Sequence, residues 1–167
     1  VRLDHPGAGE VVFKGTTEFL ASAGIDIETV RNVRFDSGSA LNTVDGDISI
    51  AANLQDTENS AQFTAVHLIN TQITVTGDAE VSLRGRAGSG SQSPQYGVHI
   101  IENSVINSLA GGHIIVEAVE SSSTFLSFGV VINNGSQMLT RDGDIILSGK
   151  GGNAGSQPAA RGLVIAG

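Results

Sequence analysis

The constraint that acts first on this chain is a repeat. A short apolar segment recurs four times behind a small residue: Ala65-Val66-His67-Leu68, Gly97-Val98-His99-Ile100, Gly129-Val130-Val131-Ile132 and Gly162-Leu163-Val164-Ile165. Their first residues are 32 (97 − 65), 32 (129 − 97) and 33 (162 − 129) positions apart. A period of this size marks a stack of similar units, each burying its apolar face on the next. Such a chain folds as a rod before it can be anything else.

A second segment keeps the same beat. Gly46-Asp47-Ile48-Ser49-Ile50 is followed by Ala79-Glu80-Val81-Ser82-Leu83, Gly112-His113-Ile114-Ile115-Val116 and Gly143-Asp144-Ile145-Ile146-Leu147. Residues 10–15 read as a divergent earlier copy of this segment, and Val33-Arg34-Phe35 lies one period upstream of Val66. A weaker third column runs through Leu41, Ile73, Val105 and Met138. Each segment alternates apolar and polar residues over three to five positions and is bounded by Gly, Asn, Asp or Ser, which is strand patterning with turn punctuation. Residues 16–23 are the one stretch expected to form a short turn of helix.

Three short strands per repeat imply an all-β fold: a single parallel β-helix of about 32 residues per coil, with four to five coils. Each strand stacks on its own counterpart about 4.8 Å along the axis. A solenoid supplies the parallel connection by going once round the coil, and the general rule for parallel crossovers favours a right-handed coil, a hand the residues themselves do not fix. One domain spans residues 1–167, with 1–39 a divergent first coil and 40–167 the regular repeats. The inward ladders are Ile48/Val81/Ile114/Ile145 and Val66/Val98/Val130/Leu163. With 22 Gly, no Trp and one Tyr, the core consists of thin aliphatic layers. A polar loop recurs at one place in each repeat, in residues 55–64, 88–96, 120–128 and 151–161. The second and fourth share Gly-Ser-Gln followed by Pro. Insertions at one place in successive turns project from one side of the rod.

Composition removes several classes of function. Seventeen acidic against nine basic residues give a net charge of −8. An acidic rod without clustered Lys or Arg is a poor ligand for nucleic acid or anionic membranes. No apolar run is long enough for membrane insertion. There is no cysteine, hence no disulfide framework and no thiol chemistry. The termini carry no cap of the kind solenoids use, so the chain is expected to be a slice of a longer polypeptide or a unit that stacks on another copy.

The stretch Gly129-Val130-Val131-Ile132-Asn133-Asn134, continued by Gly143-Asp144-Ile145-Ile146-Leu147-Ser148-Gly149-Lys150-Gly151-Gly152, resembles the β-helical repeats of large bacterial exoproteins of the filamentous haemagglutinin type. The resemblance covers roughly residues 40–167, and 9–39 fit more loosely. It implies an extracellular or cell-surface fibrous protein, often an adhesin, whose loops meet host or matrix glycans or proteins. The Asn-Pro-Asn motifs of the haemagglutinin secretion domain are absent, which assigns this stretch to a shaft.

Candidate chemistry is sparse. His67 and His99 hold equivalent outward positions one period apart and could share a metal, but no carboxylate recurs beside them. Asp47, Asp144 and, one position shifted, Asp78 recur at the turn entering the second strand. A carboxylate column could hold Ca²⁺, yet Asp in a turn ordinarily binds nearby backbone amides, and His113 interrupts the column. Glycoside hydrolysis needs two carboxylates across a groove, and a catalytic site would break the repeat locally; no break is visible after residue 40. The expectation is no enzyme activity, no catalytic residue, no metal and no cofactor, with a polysaccharide-binding or polysaccharide-degrading β-helix enzyme as the alternative. An ice-binding face would need a threonine ladder, and Thr71, Thr74 and Thr76 have no threonine counterparts one period on.

Alternation turns Ser49 and Ser82 outward on the second strand, and His67 and His99 outward on the first. Later turns put Ile115 and Ile146, and Val131 and Val164, in the same columns. An outer wall that becomes apolar is the candidate self-association surface. It comprises Ile115, Ile146, Val131 and Val164, with Leu163 and Ile165 from the open last strand. Loop residues Phe125, Leu126 and Phe128 are the alternative cover. The partner expected is therefore another copy of the chain, end-to-end or side-by-side.

Overall fold

Three corners per turn and three parallel sheets account for the architecture of the computed structural model, which describes residues 1–7, 9–90, 94–123, 126–152 and 160–167. Sheet A stacks β1 (Arg2–His5), β4 (Ile25–Thr29), β7 (Ile48–Ala52), β10 (Val81–Arg86), β13 (Ile114–Val119) and β16 (Ile145–Gly149) in that spatial order. Sheet B stacks β2 (Val11–Phe13), β5 (Val33–Phe35), β8 (Val66–Ile69), β11 (Gln95–Ile101), β14 (Ser127–Ile132) and β17 (Arg161–Ile165). Sheet C stacks β3 (Thr16–Phe19), β6 (Ala40–Thr43), β9 (Gln72–Val75), β12 (Val105–Ser108) and β15 (Gln137–Thr140). Every neighbouring pair is parallel. No helix occurs among the described residues. The fold is an all-β parallel solenoid with about four turns at the spacing near 32.

The inward ladders run in register as the periodicity requires: Ile48, Val81, Ile114 and Ile145 in sheet A, and Val66, Val98, Val130 and Leu163 in sheet B. From Ile48 to Val130 these side chains are fully excluded from water. Burial of one such aliphatic side chain contributes roughly 1.5–3 kcal/mol. The last turn has no strand above it, so Ile145, Leu163 and Ile165 are 41%, 43% and 64% exposed although they point along the same columns.

The structure corrects four local expectations. Residues 16–23 do not form a helical turn: β3 pairs with β6, turning Thr17 and Phe19 toward the interior, and its alternation of faces suits a strand. Residues 10–15 are not a copy of the sheet A segment. Val11–Phe13 pairs instead with Val33–Phe35 in sheet B, where Phe13 stacks on Phe35 with ring centroids 4.4 Å apart. In sheet C the residue that continues Leu41, Ile73 and Met138 is Ile106, not Val105, because the step from β9 to β12 is 33 rather than 32 (106 − 73). A slip of one residue reverses the face of every side chain in a strand. The same step aligns Thr74 with Asn107, so the threonine ladder fails here as well. Finally, residues 1–39 hold five strands rather than one divergent coil.

Turn length is set at a single corner. The steps from Val11 to Val33 and from Ile25 to Ile48 are only 22 (33 − 11) and 23 (48 − 25) residues. The A-to-B connection explains this: it is short at 6–10 and 30–32, and longer at 53–65, 87–94, 120–126 and 150–160. The B-to-C corner stays tight in every turn. There Gly38, Asn70 and Asn103 take positive φ of 81°, 45° and 59°, each followed by a buried Ser39, Thr71 or Ser104. Left-handed backbone is open to Gly and tolerated by Asn. The hydroxyls bridge turns: Ser104 Oγ accepts from Thr71 N–H at 3.1 Å, and Ser136 Oγ accepts from Ser104 N–H at 3.2 Å.

Just inside the variable corner the coil is pinched. Ala65, just before β8, and Gly97, Gly129 and Gly162 of sheet B lie against Gly85, Ala118 and Gly149 of sheet A. A Cβ on Gly97 would lie 2.6 Å from Ala118 Cβ and 2.9 Å from the Gly85 carbonyl oxygen. The small residue that opens each sheet B repeat is therefore a packing requirement.

Candidate functional site

Beyond the pinch, the long connections stack into a shelf on one side of the rod. Asn53 is fully buried there and uses its whole amide. Its Nδ2 donates to the carbonyls of Arg86 (2.9 Å) and Ala87 (3.2 Å) one turn on, while its Oδ1 accepts from Gln55 Nε2 and Asn59 N–H. Glu58 reaches two turns away, accepting from Ser121 Oγ at 2.7 Å and from Ser122 N–H at 3.0 Å. Ser121 and Ser123 are both buried: the single Ser121 hydroxyl proton is shared between Glu58 and the more distant Gly88 carbonyl at 3.2 Å, and Ser123 Oγ donates to the Gly90 carbonyl. Phe63 fills the shelf interior, with the Arg31 guanidinium 5.9 Å from its ring centroid. Periodicity does not reveal these clamps, because the loops differ in sequence from turn to turn. The Gly-Ser-Gln matches in the second and fourth loops, and Phe125, lie wholly or partly outside the described residues.

The outer face of sheet B carries the most distinctive side chains. Arg34, His67, His99, Val131 and Val164 form one column in successive turns. The imidazoles of His67 and His99 stack with centroids 5.1 Å apart and planes 6° from parallel. Alternation breaks at Gly97-Val98, both buried, so Tyr96 points to the same side as His99. Its ring lies 4.0 Å from His99 and 5.3 Å from Phe128, extending the stack to four rings. Burial, reinforced by Arg34 and opposed by Glu10, lowers the His67 pKa. Burial together with His67 lowers that of His99 to about 4. Both rings are therefore neutral near pH 7. Imidazole lone pairs lie in the ring plane, and two parallel planes at this separation cannot aim them at one ion. The stacked pair is not a chelate.

Arg34 is held by its neighbours. It donates to Glu10 Oε1 at 3.1 Å and to Asp36 Oδ1, while Lys14 lies 3.9 Å from Asp36. Burial alone would raise the Glu10 pKa, but hydrogen bonds from Arg34 and Asn32 hold it below the ordinary carboxylate value.

The aspartates at the C-to-A corner serve the backbone. Asp47 Oδ1 accepts from Glu80 N–H at 2.9 Å, and Asp78 Oδ1 accepts from Gly111 N–H at 2.8 Å. His113 does not interrupt this arrangement; its Nδ1 accepts from Asp144 N–H at 2.9 Å, the role Asp47 has two turns earlier. Among the described residues no group of three or more His, Cys, Asp or Glu is placed to hold a metal ion.

The six residues of the expected apolar wall do not form one surface. Val131 is only 5% exposed, in a column between His99 and Val164. Val164 and Ile115 are half-buried. Ile146 is 48% exposed on the outer face of sheet A, and Leu163 and Ile165 are open along the last edge of the core. Ile115 and Ile146 are adjacent rungs of one column and Val131 and Val164 of another, on different sheets. A shallow groove of about 500 Å³ also follows the B-to-C corner, lined by Asn70, Gln72, Asn103 and Thr16 with no charged residue. Among the described residues no helix is long and apolar enough to cross a membrane.

No family model, no curated protein and no solved structure gives a significant match to the chain.

Proposed function

We propose that this chain is a shaft segment of an extracellular or cell-surface fibre, similar to the filamentous haemagglutinin type, that self-associates and holds its loops toward partners. The observation that carries this reading is the continuity of the ladders. Three parallel sheets run the length of the described coil, and the polar groups at the corners are spent on joining one turn to the next. A catalytic site needs side chains released from such work and converging on a reactant. Here Asp47, Asp78 and His113 each satisfy a backbone amide.

Ile115 and Ile146 on sheet A, Val164 on sheet B, and Leu163 and Ile165 at the open edge are the proposed contacts between copies, with Val131 buried beneath them. Electron microscopy of the native material tests the fibre, with long rods of fine axial repeat as the expected result. Sedimentation tests assembly: the wild type should associate at high concentration and Ile115→Lys/Ile146→Lys should be monomeric. A strictly monomeric wild type would remove the case for self-association. A second reading, polysaccharide binding, is favoured by the uncharged amide-lined groove beside Asn70 and Asn103. Depolymerisation of any member of a polysaccharide panel would replace the fibre reading with an enzyme.

A further inference from the structure

We infer that the stacked His67–His99 pair is an acid-sensitive joint in the rod, closed while both imidazoles are neutral and loosened when the medium becomes acidic enough to protonate them. The inference stands on placement. The rings lie parallel with centroids 5.1 Å apart on adjacent strands β8 and β11, so two positive charges would have to coexist at that separation on half-buried groups. Like charges at this separation in a partly desolvated site oppose each other strongly.

The groups around the pair offer no relief. On β5, Arg34 is in register beneath His67 and adds a third positive charge. Just after that strand Asp36 is paired with Arg34 and Lys14, and Glu10, preceding β2, is committed to Arg34 and Asn32. On β11, Tyr96 covers a face of His99 and is neutral; burial raises its pKa further. On β14, Val131 is next in the column and carries no charge. His67 Nε2 is buried and makes no hydrogen bond, so no acceptor waits for a proton there.

The direction follows from linkage. Both imidazoles have folded pKa values below the ordinary 6.5, so between the two values the unfolded chain binds more protons than the folded one. Stability is full above about pH 6.5, falls as the medium is acidified toward about pH 4, and levels off below. Glu10 titrates in a lower window, because its folded pKa is depressed from 4.5. The two contributions overlap only near pH 4, below the range of the test.

The test compares the whole chain with His67→Val/His99→Val. Valine already occupies this column at Val131 and Val164, so the fold accepts it. Between about pH 7 and pH 5 the wild type should lose roughly 5–10 °C in Tm, and the double variant should lose little. Hydrogen exchange at pH 5 should show lost protection in Val66–Ile69 and Gln95–Ile101, with the inner strand Ile48–Ala52 of sheet A much less affected. Equal acid sensitivity of the two proteins would overturn the inference, as would a wild type whose Tm is flat over that range. Should the double variant fail to fold, NMR titration of the wild-type imidazoles decides. Ring resonances titrating near 6.5 in the folded protein overturn it; resonances unchanged down to about pH 5 support it.

Discussion

Exchanging one methyl group across the pinch between sheets A and B gives the most direct test of how the coil is held. In Gly97→Ala the new Cβ would meet Ala118 Cβ at 2.6 Å, the Gly85 carbonyl oxygen at 2.9 Å and the Gly129 carbonyl oxygen at 3.1 Å. The first is a methyl fixed to the backbone and the other two are backbone, so none can turn aside. Overpacking of a rigid site costs about 1–3 kcal/mol, and this geometry places the cost toward the upper end. Ala118→Gly removes a 2%-exposed methyl. It should cost about 1.3–1.8 kcal/mol, from one buried carbon near 0.8 kcal/mol and added backbone freedom of 0.5–1 kcal/mol. The double variant removes the shortest of the three contacts. It should be less destabilised than the sum of the singles by about 1 kcal/mol, well outside the 0.3–0.5 kcal/mol expected of independent sites. Urea unfolding monitored by circular dichroism measures all four proteins, and each kcal/mol corresponds to about 2–4 °C in Tm for a chain of this size. Additivity within 0.3 kcal/mol, or a Gly97→Ala variant as stable as the wild type, would refute the view that close approach of the two sheets dictates the small residue at each repeat.

Three further outcomes are expected. Val130→Asp puts an unpaired carboxylate at a fully buried rung and should cost several kcal/mol, whereas Leu163→Asp, on the open last strand at 43% exposure, should cost much less; equal losses of Tm would contradict the core assignment. Chelation with EDTA should leave Tm unchanged, because Asp47 and Asp78 are occupied by backbone amides; a large drop would revive the corner aspartates as a Ca²⁺ site. Glu10→Gln should lower stability by a constant amount above about pH 5 and flatten the further loss below about pH 4.5, since a carboxylate with depressed folded pKa stabilises above its unfolded pKa and loses that contribution as pH falls through the folded one; a change in the slope of Tm against pH between pH 7 and pH 5 would show that Arg34 and the histidines share one titration.

The part of this protein legible in its sequence is the part that repeats. A strand stacked on its own copy needs the same apolar residue at the same phase. Ile48, Val81 and Ile114, or Val66, Val98 and Val130, therefore declare both the period and the inward face. The position of the long loops is legible for the same reason, as is the small residue at Ala65, Gly97, Gly129 and Gly162, although its cause is not. Tertiary structure decided whatever depends on which turn lies next door. Val11–Phe13 could have joined either sheet until the short corner at 6–10 brought Phe13 onto Phe35. The choice between Val105 and Ile106 rests on one residue of loop length, invisible to local pattern because both are branched aliphatics. Residues 16–23 carry no strong local preference, and it is pairing with Ala40–Thr43 that makes the first four of them a strand. The candidate site is legible only in part. His67 and His99 could be aligned from the repeat, but Tyr96 enters their stack only because alternation breaks at Gly97-Val98. Asn53 and Glu58 act on groups 33 and 63 residues away through loops that share no sequence. A periodic pattern encodes contacts between equivalent positions; contacts between inequivalent ones exist only once the coil has closed.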